Sequence, residues 1–500
     1  MAEKIDQLKS YINEIMDIYN AIGLLSWDQQ VNMPPGGEED RGYTTSTLER
    51  LAHQKIIAHE MGTMLEAAAK EASQLDPDSD DARLVKISQR DFLKKTKIPA
   101  RWVVEFSQAT TNAQTAWMEA RAKSNFNHFK PSLEKIVDLK REYASFFEPY
   151  DHIYDPLLDD FEPGMKTAEV QAIFNQVRPE QVKLLKAISQ QPVIDDSFLH
   201  IPYDEKAEWD FGVDVITRFG YDWTRGRQDK SAHPFTQGFG IGDVRITTRF
   251  DPERAMSLLF STMHESGHAM YDQGFDKKLA RTPLSNGASM AMHESQSRMW
   301  ENLVGRSLSF WKFFYPLMQT RFPQQLGKVD LNTFYRAINK VEPSFIRVEA
   351  DEATYNMHVM LRLEIEIALM EGSLEVKDLP QVWNARMQDY LGITPPNDAQ
   401  GVLQDVHWSW GLIGYFPTYA LGNLVSAQLW ETILKDIPDI NAQFERGEFH
   451  SLLSWLRQNV HTYGAKFEPQ ELIQKITGSK IDPQPYLRYL KSKYGEIYHL

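Results

Sequence analysis

The chain has 500 residues, of which 42% are apolar and 25% are charged, and its formal net charge is -15. A negative charge of this size argues against nucleic acid and anionic membranes as partners, because neither would be attracted to the surface as a whole. The chain contains no cysteine, which excludes disulfides, thiolate metal ligands and a cysteine nucleophile.

The N-terminal segment and the absence of an apolar span predict a cytoplasmic location. The first 20 residues carry charges throughout and lack the apolar centre of a signal peptide. No stretch approaches the roughly 20 apolar residues that a membrane span needs. A prior of about 150 residues per domain suggests about three domains, but no Gly/Ser-rich or Pro-rich linker divides the chain. We therefore expect one unit over residues 1–500, and a division of that unit into two lobes would fit as well.

Helical periodicity dominates the sequence, which predicts an all-α fold, mostly helical, with one small β ribbon. The ribbon is expected at GDVRITTRF, residues 242–250, where apolar and polar residues alternate after the glycine-rich run TQGFGIG.

The next predicted element is a helix over residues 251–274 that contains the motif HESGH. An Asp-Pro pair at its start and a glycine at its end are typical helix signals. Residues four apart share a helix face, so His264 and His268 can bind one metal ion. Glu265 lies about 100° round the helix from His264. There it can take a proton from a water held by the metal as that water attacks a carbonyl.

A second helix, predicted over residues 288–304, carries the related motif HESQS. A catalytic metal usually takes three protein ligands and leaves one position for water, so the two histidines need a third partner. The loop before this helix is rich in Pro, Asn and Gly, and two antiparallel helices can then place Glu294 over the histidine pair. Glu301, seven residues on and on nearly the same face, is the rival third ligand. We expect His293 to support a metal ligand or to pack against neighbouring residues, and not to bind the metal itself.

Three later stretches show apolar residues at helical spacing. They are residues 331–341 after a helix cap at Asp330, residues 379–391 ending at Gly392, and residues 452–463 ending at Gly464.

Six short motifs occur in a fixed order along the chain. They are HPF at 233–235, DVRIT at 243–247, HESGH at 264–268, HESQ at 293–296, IRVEAD at 346–351 and GVLQDVHW at 401–408. With these motifs the chain resembles the M32 family of metallocarboxypeptidases, which includes carboxypeptidase Taq. The runs LLSWDQQVNMPPGG and GYFPTYALGN have the look of the same family. The resemblance covers nearly the whole chain.

The resemblance implies a saddle-shaped, two-lobed helical fold with a long central cleft, related to neurolysin, thimet oligopeptidase and angiotensin-converting enzymes. It implies a homodimer, and a zinc ion held by His264, His268 and Glu294 with Glu265 as general base. Cobalt or another divalent metal would fit the same ligands. It also implies a peptide substrate with a free C-terminal carboxylate, from which single amino acids are removed with broad specificity.

An enzyme of this type must recognise that carboxylate, and the fork of an arginine side chain does so well. Arg347 in IRVEAD is the first candidate and Arg245 in DVRIT the second. The competing interpretation of either arginine is an internal ion pair, with Asp351 or Asp243 as the partner. The alternating segment around Arg245 also offers a strand edge to an extended peptide.

A neutral donor beside the metal would stabilise the oxyanion that forms from the substrate carbonyl. His407, Tyr415 and Tyr419 resemble the donors of the thimet oligopeptidase group. We prefer Tyr419 to Tyr415 because it stands twelve residues after His407, as in that group. Asp405 is a candidate for orienting a donor, and His233 is expected near the site without an assigned role.

Two other functions fit the same motifs. An oligopeptidase or dipeptidyl carboxypeptidase would use the same metal site, because closure of the cleft end decides where a peptide is cut. A non-enzymatic helical scaffold would keep the metal as a structural ion.

Overall fold

A computed structural model describes residues 3–252 and 254–500 of the chain. Within these residues most of the chain is helical, and one small sheet supplies the extended structure. None of the helices in this part of the chain is both long and apolar enough to cross a lipid bilayer. The predicted fold class, mostly helical with a small β ribbon, is confirmed.

The described residues form twenty-one α-helices, one π-helix and seven short 3-10 helices. The α-helices are α1 Glu3–Val31, α2 Glu38–Ile56, α3 His59–Ala72, α4 Asp80–Lys97, α5 Ala100–Ala122, α6 Phe126–Ser145, α7 Asp155–Leu158, α8 Thr167–Ile188, α9 Glu205–Phe219, α10 Ser257–Asp272, α11 Met290–Arg298, α12 Leu308–Arg321, α13 Pro323–Leu326, α14 Leu331–Ile338, α15 Tyr355–Glu371, α16 Leu379–Leu391, α17 Pro417–Asp436, α18 Ile440–Phe444, α19 His450–Asn459, α20 Pro469–Thr477 and α21 Gln484–Tyr498. The π-helix is Met299–Val304, and the 3-10 helices are Pro35–Gly37, Ser197–Leu199, Lys277–Leu279, Arg347–Glu349, Val376–Asp378, His407–Trp410 and His461–Tyr463.

The sheet packs against α10, the helix that carries HESGH. Its strands are β1 Gln228–Lys230, β2 Thr236–Gly238 and β3 Val244–Thr248, in the order β1-β3-β2. Strands β2 and β3 are antiparallel, with Thr236 opposite Ile246, whereas β1 runs parallel to β3. The predicted ribbon is therefore a hairpin to which one further strand is added.

Two apolar cores hold the helices together. The larger core extends from Trp102 in α5 to Tyr498 at the end of α21. The smaller core joins α1, α3 and α4 to the connection between α10 and α11, and consists of Ile5, Leu8, Ile12, Met61, Leu65, Ala68, Leu84, Val85, Leu279 and Leu284. Burial of Leu279 and Leu284 therefore anchors the loop after HESGH in the N-terminal helices. A single unit over residues 1–500, with or without two lobes, stays a prediction.

The HESGH helix starts later than its sequence signals indicate. The prediction placed the start at Asp251, whereas α10 begins at Ser257, and Glu253 lies outside the described residues. Met256 precedes the helix with a left-handed φ of 77°, and its N–H donates to Glu208 Oε1 at 2.9 Å. The predicted start is wrong because a buried carboxylate 48 residues earlier in the chain binds this turn.

The other predicted helices are confirmed, with shifts at their ends. Helix α11 and the π-helix after it together cover 290–304 of the predicted 288–304. Asp330 caps α14 by accepting a hydrogen bond from the Thr333 N–H at 3.0 Å, although this helix ends three residues before the predicted 341. Helix α16 has the predicted bounds and ends at Gly392 with a φ of 72°. The last predicted helix divides into α19 and a 3-10 turn.

Candidate metal centre and active site

Helix α11 lies in close contact with α10 on one side and α17 on the other. A Cβ atom at Gly267, within HESGH, would come within 2.7 Å of the Gln296 carbonyl oxygen and of Ser297 Cα. A Cβ atom at Gly422 of α17 would lie 2.7 Å from Glu294 Cβ. Because glycine has no Cβ, these positions allow an approach that other residues would prevent. The close packing brings Glu294 over the histidines of α10.

Three of the predicted metal ligands converge on one point. Glu294 Oε2 lies 3.5 Å from His264 Nε2 and 3.4 Å from His268 Nε2. The three ligand atoms all lie within 4.8 Å of one another, a spacing that one ion can bridge. Two imidazole nitrogens and a carboxylate oxygen suit zinc and other divalent transition metals. The donor set therefore fits a metal, and these residues form a metal-binding site.

The Nδ1 atoms of both histidines, on the side of each ring away from Glu294, have hydrogen-bond partners. His264 Nδ1 lies 2.9 Å from Glu301 Oε2. His268 Nδ1 lies 2.7 Å from His293 Nδ1, and His293 Nε2 lies 3.0 Å from Asp272 Oδ1. In the tautomer that leaves Nε2 for a metal, the His268 Nδ1–H donates to His293, and the His293 Nε2–H donates to Asp272. The Nε2 atoms of both ligand histidines face Glu294 Oε2 at the metal-binding site.

Arg298 binds the second oxygen of the ligand carboxylate. Its Nε donates to Glu294 Oε1 at 2.7 Å, and its Nη1 donates to Glu301 Oε2 at 3.3 Å. Burial alone would raise the pKa of both carboxyl groups, but Arg298 and the neighbouring histidines outweigh it. The pKa of Glu294 is held well below its usual range, and that of Glu301 is lowered to about 2. Both groups are therefore carboxylates at neutral pH.

The two ligand histidines differ in their affinity for protons. Burial lowers the pKa of His268 to about 4, which keeps this imidazole neutral. Burial also acts to lower the pKa of His264, but Glu294 and Glu301 outweigh it and raise the pKa to about 8. A metal ion must therefore compete with a proton at His264, and metal binding is expected to weaken at low pH.

Glu265 lies beside His264 on the cavity side of α10 and is almost fully buried. The Thr236 hydroxyl of β2 lies 2.7 Å from Glu265 Oε2 and 2.9 Å from the Glu265 main-chain oxygen. Burial raises the pKa of the Glu265 carboxyl group, which suits a group that must first take a proton and then return it.

A cavity of about 800 Å³ opens over the metal-binding site, a size typical of ligand sites. Its walls come from α1, from the β2 strand and from the metal-site residues, with Tyr415 and Tyr419 on another side. Among the described residues that line it, Arg281 supplies the one lysine or arginine side chain. The Arg281 Nε donates to Asp17 Oδ1 of α1 at 3.0 Å.

Arg347 is buried behind Tyr419, in an ion pair with Asp405. Its Nη2 donates to Asp405 Oδ1 at 2.8 Å, and its Nη1 donates to the Tyr355 hydroxyl at 2.8 Å. The guanidinium carbon lies 4.9 Å from the centre of the Tyr419 ring. An internal ion pair of Arg347 therefore exists, but its partner is Asp405 instead of Asp351.

Asp405 binds a second arginine and lies close to His407. Arg362 Nε donates to Asp405 Oδ2 at 2.8 Å, whereas His407 Nδ1 lies 3.9 Å from Asp405 Oδ1. His407 Nε2 lies 3.3 Å from the Tyr419 hydroxyl. Burial lowers the pKa of His407 to about 3, so the ring is neutral. Asp405 thus holds the two arginines by short hydrogen bonds and meets His407 only at longer range.

Arg245 and His233 are not among the described residues that line the cavity over the metal ligands. Arg245 donates to both oxygens of Asp243, from Nε at 2.8 Å and from Nη2 at 2.7 Å. Its guanidinium carbon lies 4.6 Å from the centre of the Trp27 ring. The internal ion pair expected as the competing interpretation is therefore present. His233 is exposed, and the two residues after it line the cavity.

Within a mostly helical fold, one helix carries the two histidines of an HExxH motif and the neighbouring helix supplies a carboxylate ligand. This arrangement defines a metallopeptidase of the HExxH class. The chain belongs to the M32 family, because the model of that family, described as carboxypeptidase Taq (M32) metallopeptidase, matches residues 7–494. It is therefore a metallocarboxypeptidase.

Several relatives are similar over their full length. Thermostable carboxypeptidase 1 of Thermus thermophilus is 41% identical over 487 residues, which are 95% of each chain. Carboxypeptidase 1 of Bacillus subtilis is 37% identical over 504 residues, covering 99% of this chain and 100% of the relative. The crystal structure of the M32 carboxypeptidase from Deinococcus radiodurans R1 is 40% identical, covers 100% of both chains and superposes with a TM-score of 0.97.

Four residues that contact the site are not among those predicted from the sequence. Arg298 binds two carboxylates, Thr236 contacts Glu265, Asp272 supports His293, and Gly422 makes room for Glu294. The sequence could have predicted the contacts of Arg298, because this residue stands four residues after Glu294 and three before Glu301 on the same helix face. The others depend on contacts between separate segments.

Proposed function

We propose that the enzyme removes single amino acids from the free C-terminus of peptides with broad specificity, using Zn²⁺ held by His264, His268 and Glu294. The observation that carries this proposal is the convergence of the three ligand atoms at one wall of a cavity that also exposes Glu265. Cobalt or another divalent ion would fit the same donors, so elemental analysis of the purified protein decides the metal.

A bound divalent metal supplies Lewis acidity, which lowers the pKa of a water and polarises the scissile carbonyl. Glu265 would accept the proton of the attacking water and pass it to the leaving amine. Its burial favours the protonated form that this second transfer needs. The Thr236 hydroxyl near Oε2 would keep the Glu265 carboxyl group pointed into the cavity.

Tyr419 is our preferred donor to the developing oxyanion, with Tyr415 as the alternative. Both side chains line the cavity with the metal ligands. Burial raises the pKa of both phenols, so they keep the hydrogen that an oxyanion donor requires. His407 would orient the Tyr419 hydroxyl by contacting it through Nε2.

Arg347 remains our first candidate for binding the substrate carboxylate, and Arg245 the second. Asp405 and Tyr355 use three of the five N–H groups of Arg347 in the described part of the chain. The two others would be available to a carboxylate that approaches past Tyr419. The Asp405 contact would hold the guanidinium in place for that purpose, and His233 would lie at the edge of the substrate path.

The partners of the enzyme follow from the same proposal. Its substrate would be a peptide with a free C-terminal carboxylate, and its charge of -15 favours neither nucleic acid nor a membrane surface. A homodimer is the state that the family resemblance implies, and a cytoplasmic location is what the N-terminal segment predicts; both stay part of the proposal.

The products from an N-acetylated peptide distinguish this function from its alternative. Mass spectrometry over time should find a ladder of peptides that lose one C-terminal residue at each step. The same peptide with a C-terminal amide should be cut far more slowly. Internal cuts or the release of dipeptides would instead identify an oligopeptidase or dipeptidyl carboxypeptidase with the same metal site.

A further inference from the structure

Arg298 links two carboxylates of the metal centre. It stands four residues after Glu294 and three before Glu301, and donates to Glu294 Oε1 at 2.7 Å and to Glu301 Oε2 at 3.3 Å. Its guanidinium carbon also lies 4.4 Å from the centre of the Tyr355 ring. The side chains of Arg298, Glu294 and Glu301 are 14%, 8% and 13% exposed, so water has little access to replace these contacts.

Because of the contact with Arg298, the two carboxylate oxygens of Glu294 have different partners. Oε1 accepts the hydrogen bond from Arg298, while Oε2 faces His264 and His268 and accepts from the Ser297 hydroxyl at 3.1 Å. A carboxylate can bind a metal through one oxygen or through both. With Oε1 occupied, one oxygen of Glu294 remains for the metal.

Arg298 acts on a second ligand through Glu301. The Glu301 oxygen that accepts from Arg298 is the same atom that lies 2.9 Å from His264 Nδ1. A partner at Nδ1 sets the orientation and protonation of a metal-bound imidazole. One guanidinium is therefore in contact with a ligand and with the group that orients another ligand.

We propose that Arg298 is a positioning residue that keeps Glu294 a one-oxygen ligand and holds Glu301 behind His264. The inference rests on the proposed ligands His264, His268 and Glu294. Its consequence is that the coordination position which a second Glu294 oxygen would take stays available to water and substrate. Arg298 touches neither of these, so its effect on turnover is indirect.

Cobalt substitution provides a direct readout, because the visible absorption of Co²⁺ loses intensity at each step as its coordination number rises from four to five and from five to six. The metal-free wild type, Arg298→Lys and Arg298→Gln would each be titrated with Co²⁺. We expect both variants to give a weaker absorption band than the wild type. Their affinity for Zn²⁺ in a competition titration should fall by about 10- to 100-fold.

The matched control is Arg306→Lys. Arg306 Nη2 lies 3.6 Å from Glu301 Oε1, so this residue belongs to the same charge cluster without contacting Glu294 in the described structure. We expect Arg306→Lys to keep the wild-type cobalt spectrum. Arg298→Lys retains the positive charge among the buried carboxylates and is therefore expected to fold even where Arg298→Gln does not.

The outcomes separate the proposal from simpler effects. Wild-type spectra and affinities in both Arg298 variants would overturn it, as would an equal change in the Arg306 variant. A wild-type spectrum in Arg298→Lys alone would show that charge suffices and would contradict the role of the guanidinium fork. A wild type that fails to bind one Co²⁺ would instead refute the proposed ligands. No substrate is involved, so the result is independent of which peptide bond the enzyme cuts.

Discussion

Glu301 Oε2 lies 2.9 Å from His264 Nδ1, the ring nitrogen opposite the one that faces Glu294. The two carboxylates of α11 and the adjoining π-helix therefore contact the same imidazole at its two nitrogens. This relationship favours Glu294 over its rival Glu301 as the third metal ligand. It assigns Glu301 the orienting contact that a metal-bound histidine commonly makes.

We expect substitutions of these two glutamates to affect metal binding to different degrees. Glu294→Ala removes a ligand and should leave little metal after dialysis. Glu301→Gln removes only the charge behind His264 and should lower the affinity by about 10- to 100-fold, with full occupancy regained in excess metal. Elemental analysis and competition titration measure both effects. A metal-free Glu301→Gln beside a fully loaded Glu294→Ala would reverse the assignment.

Gly267 should be essential for the contact between α10 and α11. An alanine Cβ would lie 2.7 Å from the main chain at Gln296 and Ser297, and the backbone can relieve this overlap only by moving the helices apart. We expect Gly267→Ala to lower the free energy of unfolding by about 1–3 kcal/mol and to weaken metal binding. Denaturant titration and metal analysis check the two effects.

Gly495→Ala is a matched control, because Gly495 lies within α21 and no atom would lie within 4 Å of its added Cβ. Alanine there should be neutral or stabilise the protein by up to about 1 kcal/mol. Equal effects of the two substitutions would contradict a special role for Gly267.

Sequence periodicity and spacing predicted the parts of this protein that depend on neighbouring residues. Helix α16 and its end at Gly392 follow from apolar spacing and a glycine that accepts a left-handed conformation. The pairing of His264 with His268 follows from four-residue helical spacing, and the helix that follows offered Glu294 as the third ligand with Glu301 as its rival. These features need only the geometry of one helix or of two joined helices.

Contacts between distant segments do not follow from the geometry of neighbouring residues. The start of α10 depends on Glu208, and the partner of Arg347 is Asp405, 58 residues away. The sequence offered Asp351 as the nearer carboxylate, but that group accepts hydrogen bonds from main-chain N–H groups of its own loop. Pairings of this kind are decided by packing of the whole chain.

Glu162 should make stability depend on pH. It is 1% exposed, its Oε1 accepts from the Ala291 N–H at 2.6 Å, and burial raises its pKa from 4.5 to about 8. Since the folded protein holds this proton at pH values where the unfolded chain has lost it, the contribution of Glu162 to stability falls as pH rises from about 4.5 to about 8.

We therefore expect Glu162→Gln, which cannot ionise but can still accept the hydrogen bond, to gain stability relative to the wild type as pH rises. The gain should be about 3 kcal/mol between about pH 5 and about pH 7.5, measured by denaturant titration. Glu134→Gln, at an exposed position of α6, should track the wild type. A constant difference between Glu162→Gln and wild type would refute the expectation.

Arg347 should affect recognition of the substrate C-terminus. For Arg347→Ala we expect a raised KM toward peptides with a free C-terminal carboxylate, and little change toward the matching peptide amides. Arg362 would still pair with Asp405, which limits the charge left uncompensated. Steady-state kinetics on both substrates, with Arg245→Ala in parallel, measure the effect. Unchanged kinetics in Arg347→Ala would transfer the role to Arg245 or to Arg281, which lines the cavity.

Glu265 is proposed to perform proton transfer at a metal centre that other residues build. Glu265→Gln separates these two roles when its metal content and its turnover are measured on one preparation. We predict the metal content of the wild type together with a loss of about 10²- to 10⁴-fold in kcat on an N-acetylated peptide. Wild-type turnover in this variant would refute the role of Glu265 as the general base, and loss of the metal would show that Glu265 also helps to hold it.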